Sequence, residues 1–110
     1  MAAVRLSDQA RDELRHIFRT IAADNREAAR RAVGRILDRC RTLSVHPLLG
    51  RERPEFGLPA LRSTAVAPHV IFYRVAESGI VEVAHIIDGR RDLDALLNPP
   101  LNPPTREDLP

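Results

Sequence analysis

Apolar residues recur at helical spacing in two stretches of the first half of the chain. In residues 7–24 they are offset by 4, 7, 8 and 11 positions, which traces one face of an amphipathic helix. The members of this stripe are Ala10, Leu14, Ile17, Phe18 and Ile21. Ser7 precedes the stripe as a candidate N-cap, and Asp8 places a negative charge where the helix dipole favours it. This pattern predicts a first helix.

The second stripe has the same periodicity and predicts a helix over about residues 26–44. Its members are Ala29, Val33, Ile36, Leu37, Cys40 and Leu43. Asn25 is its candidate N-cap, and the connection around this residue is too short for anything but an antiparallel helical hairpin. Gly34 lies inside the second helix, where it marks either a close helix crossing or a tolerated exposed glycine.

The remaining apolar runs are short, rich in β-branched residues and separated by turns. A first strand is predicted at residues 3–6, and three more at 61–66, 69–76 and 80–87, after a loop at 47–60 that is punctuated by proline and glycine. The short turns between the last three runs predict an antiparallel meander. The fold class is therefore α+β: a helical hairpin packed on one face of a small, mostly antiparallel sheet, in two layers.

The C-terminal region divides into two parts. Residues 92–97 predict one or two helical turns, with Leu93, Leu96 and Leu97 on one side. Residues 98–110 hold five of the nine prolines and no pattern that would build a core, so they predict a mobile, extended tail. We expect one folded domain over residues 1–97.

Composition excludes several classes of protein. The 110 residues contain no run of about 20 apolar residues and no N-terminal apolar segment typical of a secretory signal. The single cysteine, Cys40, has no internal partner for a disulfide, which fits a reducing compartment. A cytoplasmic protein without a membrane span is therefore expected.

The charged residues have one unusual feature, because all 17 basic residues are arginine. Guanidinium groups bind carboxylates and phosphates in a fork geometry, but the codon usage of a GC-rich genome would give the same composition. The formal net charge is +2, which argues against direct, tight binding to DNA or RNA.

Five segments together resemble the ParE branch of the ParE/RelE toxin superfamily. In chain order they read VRLSDQARDEL, HPLLGRERPEFG, LRSTAV, HVIFYRV and VEVAHIIDGRRDL. The resemblance covers about residues 3–97 and departs from the usual pattern at His85 and Asp88. It implies the toxin of a type II toxin–antitoxin module, which poisons DNA gyrase by binding it. It also implies neutralisation by a ParD-like antitoxin in a hetero-oligomer.

Relatives in the same superfamily cut messenger RNA on the ribosome, and this alternative can be weighed against the residues. Such cleavage needs a base, an acid and a cationic clamp for the phosphate. Glu55, His85 and Arg62 are the candidates for these three roles. However, the single tyrosine, Tyr73, lies in the middle of a predicted strand, and the C-terminal end offers none.

His85 also has a structural interpretation. It alternates with Val81, Val83 and Ile87, which predicts a partly buried position on one strand face. A third possibility is a degenerate relative that binds only an antitoxin. The histidines share no spacing typical of a metal site, and no cofactor motif is present. The preferred hypothesis is a toxin that acts by binding, without catalysis.

Exposed arginines are the candidate contacts for protein partners, because guanidinium groups pair with carboxylates across an interface. The candidates are Arg11, Arg15, Arg19, Arg62, Arg74, Arg90 and Arg91. Arg90 and Arg91 follow Gly89, where the chain leaves the last predicted strand. We expect Arg91 to form an ion pair across the fold. We expect Arg90 to face an acidic partner surface.

Overall fold

The computed structural model describes residues 2–91 together with Leu93 and Leu97. It begins with a short strand, β1 (Val4–Leu6), followed by two helices, α1 (Asp8–Ala22) and α2 (Arg26–Val45). Both predicted N-caps are confirmed. The Ser7 hydroxyl accepts from the Ala10 amide at 3.0 Å, and the Asn25 side chain accepts from the Ala28 amide at 3.0 Å.

Four strands complete a single sheet in the order β1-β5-β4-β3-β2. They are β2 (Arg51–Glu52), β3 (Arg62–Val66), β4 (His69–Val75) and β5 (Val81–Asp88). The neighbouring pairs are antiparallel except β1 and β5, which run parallel. The predicted mixed, mostly antiparallel sheet is confirmed, but β2 and the short 3-10 helix at Pro54–Phe56 lie in the segment predicted as a loop.

The helical hairpin covers one face of the sheet. Ile36 and Leu43 of α2 pack with Ile71 and Tyr73 of β4, and all four side chains are buried. Phe72 alternates with these β4 residues and points to the opposite face, where it packs in a second cluster. The remaining buried members of this second cluster are Phe56, Leu61, Ile87 and Leu97.

The second cluster covers part of the sheet face opposite the helical hairpin. Strand β4 reads as a nearly continuous apolar run, HVIFYRV, and such a run indicates burial on both faces of a sheet. The 3-10 helix covers this second face through Phe56, whose ring meets that of Phe72 edge-on at 5.8 Å between centroids. Leu93 and Leu97, both helical, pack on the same cluster.

Strand β5 contains a bulge that the sequence pattern did not reveal. Tyr73 pairs with Val83 and Phe72 pairs with His85, so that Ala84 has no partner in the register. Helix α1 binds the main chain around this point. The Ser7 hydroxyl donates to the Ala84 carbonyl at 2.9 Å, and the Glu13 carboxylate accepts from the Ile86 amide at 3.0 Å.

Three further expectations concern positions away from this core. A methyl group at Gly34 would meet open space, so the alternative of a close helix crossing there is wrong. Most of the predicted C-terminal helix and the whole of the predicted tail lie outside the described residues. Neither helix in the described part of the chain is long and apolar enough to cross a bilayer.

Candidate binding surfaces

A groove of about 560 Å³ lies between α1 and the C-terminal end of β5. Ile17 and Ile21 of α1 line it on one side, and Ile86 and Ile87 of β5 on the other. Helix α1 packs against β5, and the groove lies where these two elements meet near the end of the strand. An apolar floor of this kind suits side chains of a partner protein.

Charged groups of both signs surround the groove. Arg90 donates to Asp88 through Nε at 2.9 Å and Nη2 at 2.5 Å, and this pairing holds the pKa of the Asp88 carboxyl well below its usual value. His69 lies opposite Asp88 in the register, and burial lowers the pKa of its imidazole. The lowered pKa favours the neutral imidazole over its charged form.

The structure places the two arginines at the end of β5 differently from their predicted roles. Arg90, expected to face outward to a partner, is exposed but engages Asp88 locally. Arg91, expected to form an ion pair across the fold, is exposed and lines the groove. Among the described residues, none forms an ion pair with Arg91.

The three predicted partner arginines of α1 are exposed along its outer side. Arg15 pairs with Asp12 at 3.0 Å, whereas no ion pair joins Arg11 or Arg19 to a described residue. An exposed pair one helical turn apart contributes at most a few tenths of a kcal/mol. All three side chains therefore remain available to the carboxylates of a partner.

The other two predicted partner arginines lie on the sheet. Arg74 is exposed and pairs with Glu82 across the β4–β5 ladder at 3.4 Å. Arg62 is turned inward instead, donating to the Gly50 carbonyl at 2.7 Å, with Glu52 at 3.5 Å. Arg62 therefore holds the β2 edge, and of these two residues Arg74 offers its guanidinium to solvent.

The candidate groups for RNA cleavage have separate partners in the structure. Glu55 lies in the 3-10 helix and accepts from Arg53 at 2.9 Å, while His85 lies 3.4 Å from the Glu13 carboxylate. Neither residue forms a hydrogen bond or an ion pair with Arg62 within the described part of the chain. Strand β4 separates β3 from β5, which places the backbones of Arg62 and His85 about 10 Å apart or more.

Glu55 is also a weaker base than an ordinary glutamate. A hydrogen bond from the backbone and a second from the Arg53 side chain lower the pKa of its carboxyl. The described residues contain no group of three histidine, cysteine or acidic side chains that would hold a metal ion.

The bulge also changes the interpretation of His85. The predicted partial burial of His85 is confirmed, since its side chain is 28% exposed. The face shared with Val81 and Val83 is wrong, because Ala84 shifts the alternation, so that these two valines lie in the cluster under the helices and Ile87 lies in the second cluster. His85 instead contacts Glu13 of α1. The contact of the Glu13 carboxylate with β5 was not predicted from the sequence. Glu13 lies beside Leu14, at the edge of the apolar stripe of α1, and this position was a signal that its side chain could face the sheet.

The order of elements and the topology of the sheet define the class of the protein: a helical hairpin packed on a mixed sheet, which has five strands within the described residues. The toxin–antitoxin structure described as "Chromosomal ParDE TA system from P. aeruginosa" shares this fold with a TM-score of 0.67. The match has 21% sequence identity and covers 80% of this chain and 96% of the other.

A family model agrees with the likeness in fold. Residues 4–93 match the model of the ParE toxin of the type II toxin–antitoxin system parDE. The chain therefore belongs to the ParE toxin family. A search of curated proteins found no match.

Proposed function

We propose that this protein inhibits DNA gyrase by binding it, and that a cognate ParD-like antitoxin neutralises it. The observation that carries the proposal is the family match, which extends over residues 4–93 and so includes both helices and all five strands. The toxin acts in the cytoplasm, where its target and antitoxin are found.

The arrangement of side chains favours binding over RNA cleavage. A general base, a general acid and a phosphate clamp must surround one reacting phosphate within hydrogen-bond reach. Here the Arg62 guanidinium is occupied by main-chain carbonyls, and Glu55 by Arg53. Neither side chain reaches toward His85, so the three groups do not surround a common point.

The groove beside α1 is the proposed docking site of the antitoxin. Its isoleucine floor would receive aliphatic side chains, and Arg91 at its rim would pair with carboxylates. The exposed Arg11 and Arg19 of α1 are further candidate contacts for antitoxin carboxylates.

The test uses the full-length chain, purified DNA gyrase, ATP and supercoiled plasmid. We expect protein-linked DNA breaks to accumulate with toxin dose and to disappear when the cognate antitoxin is added first. His85→Ala should break as much plasmid as the wild type, because the imidazole performs no chemistry. Transcript cutting in a translating extract that is lost in His85→Ala, with gyrase unaffected, would contradict the proposal.

A further inference from the structure

Three large aliphatic side chains are exposed together where α2 ends. Val45 is 53%, Leu48 65% and Leu49 51% exposed, and we call these three residues the leucine platform. Their spacing is i, i+3 and i+4, and the Leu49 amide donates to the His46 carbonyl at 3.1 Å to form a turn. The three residues are close in the chain, at the last position of α2 and in the turn that follows it, so one short segment exposes all three side chains.

Buried side chains fix the position of the leucine platform. The Tyr73 hydroxyl donates to the Pro47 carbonyl at 2.8 Å and accepts from the Gly50 amide at 2.8 Å. Arg62 donates to the carbonyls of Gly50 at 2.7 Å and of Leu48 at 3.5 Å. Because the main chain is held on both sides of the two leucines, the loop cannot turn them inward. The fold thus presents the platform in a fixed position.

The charges around the platform are of both signs and leave one arginine without a described partner. Arg41 lies one helical turn before Val45 on the exposed side of α2, and Arg51 is exposed just after the anchored loop. Arg41 pairs with Asp38, whereas no described carboxylate pairs with Arg51. The neighbouring Glu52 is engaged by Arg62. The surplus of positive charge favours an occupant that carries carboxylates beside its apolar residues.

We propose that the leucine platform docks an acidic amphipathic helix of the antitoxin, at a site separate from the groove. The inference rests on the proposed function and adds a second contact to it. A partner helix with aliphatic residues at i, i+3 and i+4 would cover the platform, and its flanking carboxylates would pair with Arg51 and Arg41.

The size and place of the platform support this occupant. Three partly exposed aliphatic side chains cannot supply the roughly 800 Å² per partner that a standard interface buries, which argues against a second copy of the chain. No platform residue lines the groove. The platform lies beside β2 and the start of β3, whereas the groove lies at the end of β5. One antitoxin chain would therefore contact two separate regions of the toxin.

The test measures binding of the full-length toxin to the antitoxin encoded beside it, by titration calorimetry. The double variant Leu48→Asp/Leu49→Asp should weaken binding on the order of 100-fold, because two leucines lose their apolar contacts and meet carboxylates. The matched control is Leu58→Asp, since Leu58 is 40% exposed but lies in the loop between β2 and β3. It should leave affinity within about threefold. Arg51→Glu should weaken binding by a smaller factor than the double variant does. This factor should shrink at high salt, because salt screens the interaction between charges.

Four results would overturn the inference. The double variant could bind the antitoxin as tightly as the wild type. It could melt well below the wild type, which would trace the lost affinity to misfolding. It could bind the antitoxin normally but no longer inhibit gyrase, which would assign the platform to the target. Sedimentation could show a wild-type dimer that the double variant abolishes. A wild-type toxin that binds no antitoxin at all would instead contradict the proposed function.

Discussion

The anchoring of the loop before β2 predicts a large effect for the removal of one oxygen atom. In Tyr73→Phe the ring stays in place, but the hydroxyl that bonds both Pro47 and Gly50 is lost. Tyr73 is 0% exposed and Gly50 is buried, so the Gly50 amide has no direct access to water. Loss of the bond to Pro47 costs about 1 kcal/mol, and leaving the buried Gly50 amide without an acceptor costs about 1–3 kcal/mol.

The expected loss is therefore about 2–4 kcal/mol in the free energy of unfolding. This is a substantial part of the roughly 5–15 kcal/mol that holds a domain folded, and it corresponds to a fall in Tm on the order of 10 °C. Urea titration followed by circular dichroism measures it. Ser44→Ala is the control, because it removes an exposed hydroxyl that bonds the Arg41 carbonyl, and it should cost less than about 0.5 kcal/mol. If Tyr73→Phe also cost less than about 0.5 kcal/mol, the hydroxyl would not anchor the loop.

Two further predictions concern glycine and cysteine. Gly50→Ala should lose at least about 2 kcal/mol on urea titration, because the new methyl would lie 2.6 Å from the Ser63 carbonyl oxygen and 2.7 Å from the Tyr73 ring. Gly34→Ala is its matched control and should gain about 0.5–1 kcal/mol, since it fills open space within a helix; equal effects would refute the assignment. Burial raises the pKa of the Cys40 thiol from 9.0 to about 11. The unfolded thiol then ionises first, so stability should fall by roughly 2 kcal/mol from pH 9 to pH 11. Cys40→Ala should lack this part of the decline when both proteins are titrated with urea across that range, and an identical slope would contradict it.

The features that local sequence determines were the predictable ones. Helix caps depend on a single side chain and the next turn of backbone, so Ser7 and Asn25 could be assigned from sequence. The apolar stripes of the two helices were predictable as well, because they depend only on the spacing of residues within each helix. The order of elements, and with it the α+β class, followed from the change of hydrophobic period along the chain.

The features that were missed depend on contacts between distant residues. Strand β2 has two residues, and it is a strand because it pairs with β3. The bulge at Ala84 is stabilised from α1 by Ser7 and Glu13, more than 70 positions earlier in the chain. Because Ala84 is unpaired, the residues after it point to the opposite faces of the sheet from those that strict alternation predicts. The face on which His85 lies could therefore not be predicted from the alternation of residues along the strand.

The candidate surfaces were predicted less completely than the fold. Arginines were identified because their chemistry is recognisable in any context, but Arg62 donates to carbonyls that only the folded loop brings near it. The groove could not be predicted from the sequence, because it forms only where α1 packs against β5 in the folded chain. Leu48 and Leu49, set between Pro47 and Gly50, were a local signal of an exposed apolar turn.

The parallel pairing of β1 with β5 has a consequence for synthesis on the ribosome. Val4 pairs with Val81, and Leu6 with Val83, so the first strand meets its sole neighbour in the sheet after nearly the whole domain has been translated. Until then the hairpin has no finished surface on which to pack, and its apolar stripe is open to other proteins. A nascent chain therefore completes the groove between α1 and β5 only late in its synthesis.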